Sequence, residues 1–243
     1  MAKPPPNERR GLFASIAFCA NYSYLRIALA SPPIVAENFI TYPFKTLIMS
    51  LKNSNTTADY IKWETMIYLV NRLYDDHNYR LSLLVGCGSF FGLRVSDLKR
   101  LTWKHLLSGT RFSIIEKKTG KRRDIKINGA FQRHIRKCYD ALDIQHNDEF
   151  CFLNSTGTVI STQMINRHLK SIKHRYNLDI EHFSSHSLRK TFGRKVVDSA
   201  GEHSEMALIK LSEIFNHSSP MITRRYLGLR AEELEDIYDA LDF

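Results

Sequence analysis

One short alternating stretch interrupts a chain otherwise patterned for helices, and it limits the folds open to it. Residues 112–117 and 122–127 read as two strands joined by a turn at Lys118-Thr119-Gly120. On either side, apolar residues recur at helical spacing. Tyr60, Trp63, Ile67, Val70 and Tyr74 mark one helix face, with Thr56 and Asp59 spaced as a capping box. Residues 81–91 form an apolar, buried segment leading into a turn at Arg94. Stretches 161–176, 188–198 and 204–215 read as further helices, and 149–153 as a further short strand. The expected fold class is mainly α with a small antiparallel β-sheet, an α+β domain. Residues 57–243 suffice for one well-buried core.

A series of polar residues runs through this pattern. Arg94 lies in Gly92-Leu-Arg-Val-Ser-Asp-Leu98, Lys118 in Lys118-Thr-Gly-Lys121, and His186 and Arg189 in His186-Ser-Leu-Arg189. His217 lies in Asn216-His-Ser-Ser219 and Tyr226 in Thr223-Arg-Arg-Tyr-Leu-Gly228. This inventory suits breaking a phosphodiester with a tyrosine and no metal. The planar fork of Arg94 or Arg189 matches two phosphate oxygens at once, and His217 can add a further donor. A tyrosine hydroxyl titrates near 10, so Tyr226 needs a base, and the motif of His186 places it for that task. Lys118 on the hairpin suits protonating the leaving 5′ oxygen, with Lys117 and Lys121 as neighbours able to take its place. Asp97, one helical turn after Arg94, is expected to position cationic groups rather than attack anything.

Other chemistries find less support. Gly86-Cys-Gly88 with Gly92 misses the dinucleotide-loop spacing by one residue, and there is no Gly-x4-Gly-Lys-Ser/Thr. Cys19, Cys87, Cys138 and Cys151 are far apart, which argues against zinc and fits reduced thiols in a cytoplasm. The expectation is no metal and no cofactor.

Taken in order, these motifs resemble the tyrosine recombinase (phage integrase) family: arginine, lysine, His-x-x-Arg, then histidine nine residues before tyrosine. The resemblance covers residues 57–243. It implies a catalytic domain whose Tyr226 forms a 3′-phosphotyrosyl link, a double-stranded DNA substrate, and a homotetramer on paired sites that is monomeric when free. It further implies integration or excision of a phage or other mobile element, with accessory DNA-bending or directionality proteins. Strand cleavage with simple resealing, as in a topoisomerase, is the alternative, and a non-catalytic DNA-binding protein is another. Asn216 stands where the family commonly has glycine, and Lys190 where it commonly has histidine.

Charge points to the same partner. The chain carries 35 Lys+Arg against 25 Asp+Glu, a net of +10. Residues 57–229 are the basic part, as expected of a phosphate-backbone binder. Lys121, Arg167, Lys170 and Lys173 are candidate DNA contacts, the last three set around Leu169 and Ile172 on one expected helix. Residues 230–243 are acidic, with Ala231, Leu234, Ile237, Tyr238 and Leu241 at helical spacing. The resemblance implies that this helix passes to a neighbouring protomer; folding back on its own domain is the other option. Residues 1–56 are apolar and proline-punctuated, partly mimic a secretory signal, and read as an N-terminal extension or a reduced or truncated core-binding region. No stretch is long and apolar enough to span a membrane securely.

Overall fold

The computed structural model describes residues 58–241. The expectations for residues 1–56, including the Thr56 half of the capping box, lie outside them. Helix α1 (Trp63–Asp75) is followed after a three-residue turn by α2 (Tyr79–Phe91). Because residues 81–91 carry no polar face, α2 is buried along nearly its whole length. It packs on α1, α5 (Gly129–Ala141) and α7 (Ser185–Asp198), and so forms the centre of the main core.

Short helices α3 (Val95–Leu98) and α4 (Trp103–Leu107) lead into the hairpin of β1 (Arg111–Ile115) and β2 (Arg122–Lys126). The strands are antiparallel, with Phe112 opposite Ile125 and Ile115 opposite Arg122. Phe112 and Ile125 point inward, and Phe112 meets the Phe91 ring at 5.3 Å. Helices α6 (Thr162–Arg175), α7, α8 (Ser204–Phe215), α9 (Pro220–Leu227) and α10 (Leu229–Asp239) complete the order. A smaller core of Val197, Leu208, Leu211, Phe215 and Leu227 joins α7, α8 and α9. Among the described residues, no helix is long and apolar enough to cross a membrane.

Four local expectations are corrected. Residues 149–153 form no third strand; they make only the isolated bridges Thr102 to Phe150 and Leu153 to Val159. Asn154 ends any extension there, its Oδ1 accepting the N–H groups of Thr156 and Thr158 and folding the chain back. Asp59 does not cap α1. Its Oδ2 accepts from His182 N at 2.9 Å, while Thr191 Oγ1 accepts from Ile61 N and donates to Ile61 O, holding the backbone outside the helix until Lys62. The face of α1 is therefore turned: Met66, Leu69, Val70 and Leu73 are buried, Trp63, Ile67 and Tyr74 flank them, and Tyr60 precedes the helix beneath Arg194. Helix α7 also begins earlier than 188, because Asn166 Oδ1 accepts from Ser185 N and Ser187 Oγ accepts from Ser184 N.

Candidate active site

Helix α2 ends at Gly92, whose φ of 55° is left-handed; a Cβ there would sit 2.4 Å from the Phe192 ring. The chain turns sharply, and Arg94 becomes the residue that opens α3. Helix α8 likewise ends in a left-handed residue, Asn216, which leaves the Phe215 carbonyl facing away from its own helix. Helix C-terminal carbonyls attract cations. Arg94 Nη2 and Arg189 Nη2 both donate to the Phe215 oxygen, at 2.6 and 3.1 Å. Arg189 also donates to the Gly92 carbonyl at 2.6 Å, and its guanidinium lies 3.9 Å over the Phe215 ring. Burial pulls the Arg189 pKa down to about 10, which leaves it cationic at neutral pH.

Helix α9 is capped by Ser219 and has Pro220 in its first turn. Thr223 and Tyr226, three residues apart, share one face of it. The Tyr226 ring lies 5.5 Å from His217 and 5.8 Å from Phe215. Burial pushes the Tyr226 hydroxyl up to about 12 against the pull of Arg189 and Arg94, so it is protonated at rest. That hydroxyl donates to the His186 carbonyl oxygen over 3.5 Å, a bond weak enough to give up. His217 is pushed down to about 4 by burial and then by Arg189, Arg94 and Lys118. It is neutral, and its Nδ1 lies in hydrogen-bond contact with Thr223 Oγ1 at 2.9 Å; the tautomer in which the hydroxyl donates to Nδ1 carries its proton on Nε2. Burial, Arg189 and Lys190 lower the His186 pKa as well, leaving an imidazole able to accept a proton.

Lys118 is exposed on the β1–β2 turn and reaches the cluster through its charge on His217. Asp97, 2 % exposed, anchors that turn: its Oδ1 accepts from Lys117 N at 2.8 Å. The structure thus gathers Arg94, Arg189, His217 and Tyr226 around Phe215, with the His186 backbone against the tyrosine hydroxyl. The remaining basic candidates stand elsewhere. Lys121 lies in a groove along β2 with Lys126, Phe192 and Ile214. Arg167 and Lys170 are exposed on α6 while Leu169 and Ile172 are buried beneath them, and Lys173 donates to the Glu181 carbonyl.

Sequence reasoning missed Glu116 and Arg123. Glu116 is 1 % exposed and accepts from Arg94 Nη1 at 2.8 Å, while Arg123 donates to the Phe91 carbonyl at 2.5 Å. Burial pushes the Glu116 carboxyl up, but the Thr119 hydroxyl and Arg94 outweigh it and hold the pKa below its ordinary value. A signal was present: Phe112, Ile114 and Glu116 share strand parity, which puts the carboxylate on the apolar face.

Two preorganised guanidinium groups, a neutral histidine donor and an adjacent tyrosine hydroxyl make a pocket suited to a phosphodiester. Comparison with known proteins agrees. The phage integrase family model matches residues 64–233. The chain is 30% identical over 176 residues to a probable integrase/recombinase, YoeC, of Bacillus subtilis (strain 168), covering 72% of this chain and 89% of that protein. It is 27% identical over 149 residues to tyrosine recombinase XerC of Pelobacter propionicus, covering 61% of this chain but 47% of the relative, so it spans about half that protein's length. The solved structure of XerH site-specific recombinase bound to a palindromic difH substrate shares the fold, with a TM-score of 0.55, 20% identity, and coverage of 76% of this chain and 54% of that one. The chain belongs to the phage integrase family.

Proposed function

We propose that this chain is a site-specific recombinase that cuts double-stranded DNA through Tyr226 and rejoins it to a partner duplex. The observation that carries the reading is the convergence of Arg94 and Arg189 on one carbonyl beside the Tyr226 ring. A phosphate placed over that pair meets fixed positive charge where its oxygens gain negative charge, which is the largest contribution a protein makes to such a reaction. His217 Nε2 supplies a further neutral donor. The His186 ring takes the phenolic proton as Tyr226 attacks phosphorus. The bond to the 5′ oxygen breaks, that oxygen takes a proton from Lys118, and a 3′-phosphotyrosyl link remains. The freed 5′ hydroxyl of a partner strand then attacks this link and releases the tyrosine. The energy of the broken phosphodiester is kept, so no nucleotide hydrolysis is required.

Residues 57–243 form the catalytic domain in this reading, and residues 1–56 an extension or reduced core-binding region. Lys121, Arg167, Lys170 and Lys173 contact the DNA backbone. The enzyme acts in the cytoplasm on DNA of the nucleoid, as a monomer when free and a tetramer on paired sites. Leu234, Ile237, Tyr238 and Leu241 are exposed on and just after α10, which supports exchange of that helix between protomers. Accessory DNA-bending or directionality proteins complete the assembly, and the task is integration or excision of a phage or other mobile element. A plasmid with two direct copies of the DNA flanking this gene tests the reading. Excised circles, absent with Tyr226→Phe, are expected; relaxation without circles would instead mean cleavage and resealing alone.

A further inference from the structure

Phosphodiester cleavage needs no anion beside its arginines, yet Glu116 is buried against Arg94. A carboxylate there weakens the attraction of the guanidinium for a phosphate, so its presence calls for a reason. The reason lies in what it touches. Oε2 accepts from Arg94 Nη1 at 2.8 Å, Thr119 Oγ1 at 2.9 Å and Asn216 Nδ2 at 3.0 Å, while Oε1 lies 3.6 Å from Arg123 Nη1. Those groups come from four places: the start of α3, the β1–β2 turn, the end of α8, and β2. Thr119 follows Lys118 and Asn216 precedes His217. One carboxylate therefore binds next to three of the residues assigned to the chemistry.

Asn216 adds a second observation. Its φ is 52°, a conformation in which glycine is unstrained and other residues are uncommon. Glycine would satisfy the backbone at this helix end but has no side chain to reach Glu116. The residue here accepts left-handed geometry and spends its amide on the carboxylate. Asparagine is an ordinary residue at a left-handed helix end, as Asn177 after α6 shows; what is particular to Asn216 is that its amide also reaches Glu116, at 3.0 Å.

We propose that Glu116 is a positioning residue that ties the Lys118 turn to the His217 turn across Arg94. It fixes the separation between the group that protonates the leaving oxygen and the groups that hold the attacked phosphate. This rests on the roles assigned under the proposed function and deepens them. It also accounts for Thr119, whose hydroxyl holds the Lys118 turn down on the carboxylate while Asp97 holds the same turn through Lys117 N.

Three variants test it: Glu116→Gln, which removes the charge at constant shape; Glu116→Asp, which keeps it; and Asn216→Gly, which breaks only the link to α8 and suits the backbone. Amide hydrogen exchange of the DNA-free proteins reads the coupling directly. Glu116→Gln and Asn216→Gly are each expected to speed exchange in residues 117–121 and 216–219 together. Single-turnover cleavage of a nicked duplex taken from the DNA flanking this gene reads the consequence. Misplacement on the scale of 1 Å costs on the order of 10²-fold, so Glu116→Gln is expected to lose about 10- to 100-fold in cleavage rate while DNA affinity stays within about threefold. Glu116→Asp should recover part of that loss. If Asn216→Gly frees only residues 216–219, or Glu116→Gln lowers binding and cleavage equally, the coupling role is wrong. Failure of the unaltered protein to form any adduct would overturn the recombinase reading instead, and the exchange data would still decide whether Glu116 links the turns.

Discussion

Gly193 on α7 faces the helix that carries the tyrosine, and replacing it with alanine is a sharp test of how that helix is held. A Cβ on Gly193 would lie 2.5 Å from Leu227 Cδ2 and 3.3 Å from Leu211 Cδ2. Carbon atoms in contact prefer about 3.5–4.0 Å, so Leu227 must retreat by roughly 1 Å. Leu227 is 1 % exposed between α7 and α8, and its neighbour in α9 is Tyr226. Overpacking costs about 1–3 kcal/mol, while alanine gains about 1 kcal/mol over glycine inside a helix. The net loss is about 0–2 kcal/mol, a fall in melting temperature of less than roughly 8 °C for a domain of this size. Activity should suffer far more, because a 1 Å displacement of the proposed nucleophile costs on the order of 10²-fold. Thermal melting and single-turnover cleavage of a nicked duplex measure the two effects. Adding Leu227→Val removes the clashing methyl groups and is expected to return much of the cleavage rate. An alanine variant that cleaves as fast as the parent, or a double variant slower than both single ones, would mean that Leu227 does not set the position of Tyr226.

Three further outcomes follow from the site. His217 stays neutral in the folded protein down to about 4, whereas the unfolded chain takes up the proton near 6.5. Its contribution to stability is therefore intact above 6.5 and lost as pH falls toward 4; after solvent screening of a half-exposed ring this is about 1 kcal/mol between pH 7.5 and 5. Urea unfolding at both pH values should show that difference shrinking in His217→Phe, and an unchanged difference contradicts it. Lys118→Ala is expected to slow cleavage of ordinary DNA by on the order of 10²-fold but to cleave a 5′-bridging phosphorothiolate nearly as fast as the parent, since sulfur leaves without a proton. Rescue confined to Lys117→Ala or Lys121→Ala would move the general acid to that lysine. Asp97→Ala leaves the Lys117 N–H without its acceptor and should cost about 1–3 kcal/mol of stability, whereas Asp97→Asn retains an acceptor and should cost less. Equal melting temperatures for the two variants count against an anchoring role.

The sequence disclosed some features and hid others for physical reasons. Arg94, His217 and Tyr226 stand out because each sits in a local pattern with its own turn or helix end, such as Gly92 before α3 and Ser219-Pro220 before α9. The hairpin was legible from alternation, and the Lys118 turn from Thr119-Gly120. Glu116 was hidden because Arg94 and Asn216, two of its partners, lie 22 and 100 residues away, and a lone glutamate beside lysines reads as a solvated strand end. The face of α1 was misjudged because Tyr60 fits the helical period, yet Thr191, 130 residues on, holds Ile61 out of the helix. The helix α5 went unread for a different reason. Its apolar residues Phe131, Ile135 and Cys138 form a narrow stripe among basic ones, and its N-terminal signal was the single Asn128. Distant partners decided the first two, and a weak local pattern the third.

In the proposed reaction, Tyr226 forms the covalent bond to DNA from within the Arg94–Arg189 cluster. A nicked suicide duplex cut from the DNA flanking this gene traps that bond, and mass spectrometry of the tryptic digest locates it. A phosphonucleotide is expected on the peptide Tyr226-Leu-Gly-Leu-Arg230, absent in Tyr226→Phe and strongly reduced in Arg189→Ala. An adduct on any other residue, or one that persists in Tyr226→Phe, would contradict it.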